Sequence, residues 1–316
     1  MECGDFSTFY TSMGQLPKAT WFRSDLYNWD GFWYLGHHLP GAMAAKSNFQ
    51  AKDDDVFLTS SIKTGTTWLK AIIPTIMNPD GRKDDDSDDP LLKHHPNELM
   101  PSLELGFYKV NPNPDLSHMP SPRLFRTHIP YTSLPESVKT SACKIVYITR
   151  DPKDTLVSTW HFLNSLIGDR GIDPWPFKDA YESFCNGVHS AGPFYDHVLG
   201  YWRESIKRPE KIYFMRYEDM KKDPKGEVKK LACFLGRPLE KEEEVEKVLW
   251  RCSLDRLKNL EVNQHGIDPW LGIANKHYFR SGIVGDWKNH FTDEMKGKLG
   301  QLTAMKFEGS GLDFGY

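Results

Sequence analysis

The stretch Val56-Phe57-Leu58-Thr59-Ser60-Ser61-Ile62-Lys63-Thr64-Gly65-Thr66-Thr67-Trp68-Leu69-Lys70-Ala71-Ile72-Ile73 reads as a strand, a polar turn and an apolar helix. Gly65 gives the turn a position without a Cβ where an oxyanion can come close, and Thr66 and Thr67 place hydroxyls at the helix start. The first-turn amides point at whatever anion sits there. Lys63 adds a mobile positive charge on the approach side. The pattern G-x-x-x-x-G-K-[ST] of ATP-binding loops is absent, because here the lysine precedes the glycine and no earlier glycine opens the loop. The turn therefore predicts phosphate binding of another kind, although a threonine-capped helix after a buried strand would carry the same letters.

Outward from this stretch, strands and helices alternate. Leu124-Phe125-Arg126-Thr127 reads as a second short strand, and Pro130 biases Ile129 away from helix, so His128 falls at a strand end. Residues 143–149 are apolar and β-branched, long enough to cross a sheet centre with both faces covered. A helix is expected from about 152 to 166, with Pro152 tolerated in its first turn. Two helices are expected within 177–208, a strand over 211–216, helix faces at Val228, Leu231, Ala232 and Leu235 and at Val245, Val248 and Leu249, and a final helix near 293–305. This alternation predicts an α/β fold: a single domain with a mostly parallel central sheet flanked by helices and a P-loop-like phosphate-binding turn. Ligands of such sheets bind outside the carboxyl ends of the strands. That places Lys63, His128, Arg150 and Tyr217 along one rim.

Residues 1–50 form an aromatic-rich N-terminal segment, with Trp21, Phe22, Tyr27, Trp29, Phe32, Trp33 and Tyr34, expected to pack on the α/β unit of residues 51–316. Its rings either line a pocket for a flat ligand or pack the segment onto the core; both readings stand. Residues 91–122 read as irregular structure, a potential lid, and 260–277 as a long covering loop. The run Asp84-Asp85-Asp86-Ser87-Asp88-Asp89 lacks the spaced oxygens and turn glycine of a calcium loop and reads as solvated and mobile.

The chain has 316 residues, 39% hydrophobic and 26% charged, the composition of a soluble globular protein. A net charge of −3 and a pI near 6.5 give no bulk attraction to nucleic acid or an acidic membrane, so an anionic ligand needs a local basic site. Five scattered cysteines, Cys3, Cys143, Cys185, Cys233 and Cys252, contain no C-x-x-C pair, which argues against a disulfide framework or zinc site. The N-terminal residues lack the basic and apolar regions of a secretion signal, and no apolar run reaches the length of a membrane span. These features predict a cytoplasmic location.

His128 alone, one of 12 histidines, would be ordinary; on a rim with a phosphate turn it becomes a general-base candidate that accepts a proton from a hydroxyl nucleophile. Arg150 beside a helix start suits a second phosphate, as does Arg280 with Gly282 and Gly285 nearby. Two separated anion sites imply a ligand with phosphate at both ends of a nucleoside.

Four segments together carry a resemblance: residues 61–68; Arg150-Asp151-Pro152-Lys153-Asp154 through Ser158; Tyr217-Glu218-Asp219-Met220; and Arg280-Ser281-Gly282 through Gly285-Asp286-Trp287-Lys288. In this order they resemble the signature regions of the soluble, cytosolic sulfotransferases, and residues 127–130, 252–254 and 260–263 resemble the plant branch acting on flavonols or steroids. The resemblance implies the donor 3′-phosphoadenylyl sulfate and its product adenosine 3′,5′-bisphosphate (PAP). Lys63, Thr64, Gly65, Thr66 and Thr67 would hold the 5′-phosphosulfate, Trp68 would stack on adenine and Tyr217 would bond its edge. Arg150, Ser158, Arg280, Ser281 and Gly282 would surround the 3′-phosphate, and Cys252, Ser253 and Leu254 would close over the base. His128, Lys63 and Ser158 would be the catalytic set, with Ser158 engaging Lys63 until the acceptor binds, and Phe162 and His128 would face the acceptor, a small, largely apolar hydroxylated molecule. No metal is implied. Three departures stand out: Ser61-Ile62 replaces the usual aromatic and proline, Ser281 replaces a lysine, and Arg126 stands where animal relatives often have lysine. The animal dimer motif is degraded to Lys288, Thr292-Asp293 and Gly297, which predicts a monomer. Two other classes remain at this level: a phosphotransferase with an unusual phosphate loop, which would require magnesium and ATP, and a poorly catalytic relative that keeps only ligand binding.

Overall fold

The computed structural model describes residues 6–78 and 88–314. Near the N-terminus, β1 (Lys18–Trp21), β2 (Ser24–Trp29) and β3 (Phe32–Leu35) form an antiparallel three-stranded sheet in the order of the chain. Two-residue turns join them: Phe22 and Arg23 have φ of 45° and 59°, and Asp30 and Gly31 have φ of 54° and 83°. Such double left-handed turns match the twist of paired strands. The sequence reading named no strands in this segment, and Asp30-Gly31 was a readable signal for them.

The central sheet consists of β4 (Val56–Thr59), β5 (Leu124–Thr127), β6 (Lys144–Thr149) and β7 (Ile212–Arg216), all parallel, in the order β5-β4-β6-β7. Successive side chains of a strand point to opposite faces, and here both faces are covered. Leu58, Val146 and Ile148 pack with Leu69 and Ile72 of the helix Thr66–Met77 and with Val228, Leu231, Val245 and Val248, the expected helix faces. Phe57, Phe125, Ile145 and Tyr147 pack on the other side against Leu39, Ala42, Phe49 and Tyr201. The helix Pro152–Gly168 follows β6 and begins with Asp151, whose carboxylate accepts the Lys153 amide at 2.7 Å.

The connection leaving β4 runs toward β5, and the one leaving β6 runs toward β7. Their carboxyl ends therefore diverge into a crevice, the position where ligands of open parallel sheets bind. Residues 260–277 are not a bare loop: they hold the helix Glu261–His265 and a turn in which Asp268 accepts the amides of Trp270 and Leu271, both at 2.9 Å. In the acidic run, residues 84–87 lie outside the described residues. Asp89 is buried and paired with Arg256 at 2.6 Å, so this end of the run is anchored rather than solvated.

Candidate active site

One cavity of about 920 Å3 opens at the crevice, and all four rim residues line it: Lys63, His128, Arg150 and Tyr217. Around the turn after β4, Lys63 itself has φ of 62° and Gly65 has φ of 114°. A Cβ on Gly65 would stand 2.7 Å from the Tyr217 ring and 2.9 Å from Ile148. The glycine is thus required by backbone conformation and by the packing of Tyr217 behind the turn, beyond the room it leaves for an anion. Thr64 turns inward, donating to the Ser61 and Ile148 carbonyls at 3.1 and 3.0 Å, and Thr66 Oγ1 lies 2.8 Å from Ser60 Oγ. These bonds pin the turn so that the first amides of the helix, which have no carbonyl behind them, face the cavity.

Lys63 Nζ lies 4.0 Å from the centroid of the Phe162 ring, one helical turn beyond Ser158, rather than on the Ser158 hydroxyl. Burial, reinforced by Arg280 and Arg150, pushes its pKa down to about 7. Three cations facing one cavity repel each other, and a polyanion between them relieves that repulsion.

Arg150 donates to the Ile283 carbonyl at 2.6 Å, pairs with Asp154 at 3.3 Å and lies 4.6 Å above the Tyr217 ring, yet its Nε is buried without a partner. Tyr217 donates its hydroxyl to the Gly282 carbonyl at 2.8 Å, and Arg280 pairs with Asp286 at 2.6 Å. Ser281 Oγ and Trp68 Nε1 are also buried without partners. The Trp68 and Tyr217 rings meet edge to face at 6.1 Å. Buried polar atoms without partners are uncommon unless a ligand or water serves them.

His128 leaves β5 at the same rim. Its Nδ1 is 2.9 Å from the Ser60 carbonyl, a contact that assigns the proton to Nδ1 and leaves Nε2 as the acceptor. Its amide donates to Glu104 Oε1 at 2.9 Å. Burial pushes its pKa down to about 3 against the Ser60 hydrogen bond, with Arg126 and Lys70 adding to the fall, so the imidazole is neutral at neutral pH. One grouping with metal-ligand atoms, His161, Asp286 and His290, occurs among the described residues, but its carboxylate is already paired with Arg280.

A family model for the sulfotransferase domain matches residues 53–311. The chain belongs to the sulfotransferase family. It is 43% identical over 310 residues to cytosolic sulfotransferase 5 of Arabidopsis thaliana, covering 96% of this chain and 95% of that protein. It is 43% identical over 297 residues to flavonol 3-sulfotransferase of Flaveria bidentis, covering 92% and 93%. Among solved structures, an Arabidopsis thaliana sulphotransferase superposes with a TM-score of 0.78 at 35% identity over 100% of this chain and 99% of that one. A mouse sulfotransferase complexed with PAP superposes with a TM-score of 0.70 at 28% identity over 90% and 95%.

Of the residues expected in this sulfotransferase's site, Lys63, Gly65, Thr66, Thr67, Trp68, His128, Arg150, Ser158, Phe162, Tyr217, Ser253, Leu254, Arg280, Ser281 and Gly282 line the one cavity. Thr64 and Cys252 do not. The Cys252 side chain is fully buried with its sulfur 3.5 Å from Thr75 Oγ1, because it faces the core side of the turn whose next residues, Ser253 and Leu254, reach the cavity. The sequence reading assigned no role to Asp154. Its carboxylate accepts the amides of Gly285 at 2.7 Å and Trp287 at 3.0 Å, which fastens the Arg280 to Trp287 loop to the helix carrying Ser158. Trp21, Phe22 and Tyr34 line the cavity, while Phe32 and Trp29 pack the core, so both readings of the N-terminal aromatics apply, ring by ring.

Proposed function

We propose that this sulfotransferase transfers the sulfuryl group of 3′-phosphoadenylyl sulfate to a hydroxyl of a small acceptor in the cytosol, with His128 as general base. The observation that carries the reading is the convergence on one cavity of the Lys63 turn, the Arg150 and Arg280 pair and a neutral His128 whose Nε2 has no protein partner. When bound, the donor supplies an activated sulfuryl group and a bisphosphate that leaves as a stable anion. Lys63 and the amides after it hold the 5′ side, and Lys63 opposes the negative charge that builds on the departing oxygen. Arg150, Arg280, Ser158 and Ser281 hold the 3′-phosphate, and the unpartnered Arg150 Nε and Ser281 Oγ supply donors for it. Trp68, Tyr217 and Leu254 flank the base. His128 accepts the acceptor's hydroxyl proton on Nε2, while the Ser60 carbonyl fixes its ring orientation. The likeness to a flavonol 3-sulfotransferase supports a hydroxyl on a flat, conjugated ring system as the nucleophile.

The test is transfer from the labelled donor to a panel of phenols and steroids, for the wild type and His128→Ala. Loss of transfer by about 10²–10⁴-fold with PAP affinity retained is the expected outcome; normal turnover by the variant would remove His128 from the mechanism.

A further inference from the structure

The end of the cavity around His128 holds polar atoms for which the reaction above has no use. Arg126, on β5, is only 4% exposed and lines the cavity. Its Nε and Nη2 are buried without a hydrogen-bond partner. Lys70, 3% exposed, lines the same cavity, with its amine on the Asn97 side-chain oxygen, and burial next to Arg126 pushes its pKa well down, so an anion there favours its charged form. Two carboxylates lie near this guanidinium and act on it through space without a hydrogen bond to it. Asp268 takes two backbone amides at 2.9 Å, the Tyr278 hydroxyl at 3.1 Å and the Asn97 amide group. Glu104 holds the His128 amide with Oε1, and its Oε2 is buried without a partner.

A buried guanidinium with two adjacent N–H groups unpaired is destabilising unless a ligand answers it. The edge that carries Nε and one Nη matches the two oxygens of a carboxylate. Residues two apart along an extended chain share a face, with their Cα atoms about 7 Å apart, so Arg126 and His128 present their groups side by side.

We propose that the acceptor of this enzyme is a hydroxylated carboxylate, seated with its carboxylate on Arg126 beside Lys70 and its reacting hydroxyl at His128. The proposal rests on the sulfotransferase reading above and narrows it. Phe22, Phe162, Leu163, Leu271 and Ile273 line the same cavity and suit a ring or short chain. Glu104 Oε2, of the wrong sign for a carboxylate, receives a hydrogen-bond donor of the acceptor, such as a second hydroxyl. An anion beside Arg126 also favours the protonated form of Lys70 and offsets part of the fall in the His128 pKa, raising it although burial, the larger cause, stays in place.

The test compares matched pairs, 4-hydroxyphenylacetate and 3-(4-hydroxyphenyl)propionate against their methyl esters. Binding to the PAP-saturated enzyme is measured by calorimetry, and transfer kinetics are measured with the sulfuryl donor. For at least one pair the wild type binds the acid at least about tenfold more tightly than the ester, and the kinetic preference lies in KM rather than kcat. Arg126→Gln removes the preference and Arg126→Lys keeps part of it, with PAP binding on the same samples as the check of folding. If Arg126→Gln does not fold, Arg126→Lys decides, and an undiminished preference there counts against the proposal. Absence of any acid preference in the wild type, or its survival in Arg126→Gln with PAP binding intact, overturns the proposal and leaves the sulfotransferase reading standing. Failure of PAP to bind the wild type overturns both, and that outcome is read before any acceptor is added.

Discussion

Lys63 faces two opposing demands: it must be charged to hold an anion, yet it sits in a left-handed turn inside a cavity with Arg150 and Arg280 nearby. Its pKa, about 7 in the free protein, falls within the working range. An anion favours the protonated amine, so binding raises this value. Below pH 7 the free protein already carries the proton and Lys63 adds no further slope. Above pH 7 the proton must be taken up on binding, and PAP affinity falls by up to tenfold per pH unit until the pKa of the complex is reached. Calorimetry at pH 8.5 in buffers of different ionisation heat should report uptake of close to one proton, and Lys63→Met should abolish both uptake and slope. Affinity unchanged between pH 6 and 9 would contradict this assignment. The lysine and the glycine two residues later were legible in the sequence because their types are tied to anion chemistry. The packing of Tyr217 against Gly65 was not, because it depends on a strand more than 140 residues away.

At the scale of elements, the loop from Arg280 to Trp287 has little regular structure of its own, and its position comes from Asp154 and Tyr217. Asp154→Asn removes the charge opposite Arg150 and leaves one of two amides without an acceptor. It should lower stability by about 1–3 kcal/mol in a denaturant melt and weaken PAP binding by at least about tenfold. Unchanged PAP affinity would show that the loop holds its place without this carboxylate. The four parallel strands were legible because each is a short apolar run ending in polar residues, and because both faces of the sheet are buried, alternation was not needed to recognise them. The three-stranded sheet was missed. Its first turn is Phe22-Arg23, two residues without the glycine or asparagine that usually marks positive φ, and its tip is held by packing, with the Trp21 and Phe22 rings 6.0 and 5.4 Å from Trp175. Residues 260–277 read as a loop because their order comes from one carboxylate, Asp268, which gathers two amides, an asparagine and a tyrosine rather than from periodicity.

Across the whole molecule, the strand order β5-β4-β6-β7 turns five distant segments into one site. The proposed donor half comes from residues that directly follow strands or open helices, and those could be placed on a rim by topology alone. The proposed acceptor half is assembled from the tip of the N-terminal sheet, Glu104 and Leu105, one side of the helix Pro152–Gly168, and Leu271 and Ile273. No local pattern brings these together, which is why Lys70 joins the cavity only in three dimensions, while Arg126 stood out in the sequence only as a departure from the animal relatives. A nucleotide site with two separate phosphate positions and no need of a metal is put to the test by calorimetric titration of PAP, ATP and adenosine 5′-phosphate in metal-free buffer near pH 7. PAP should bind tightly and the other two at least about a hundredfold more weakly, because only PAP reaches both the Lys63 turn and the Arg150 and Arg280 pair. ATP binding that equals or exceeds that of PAP, or that appears only with magnesium, would contradict it.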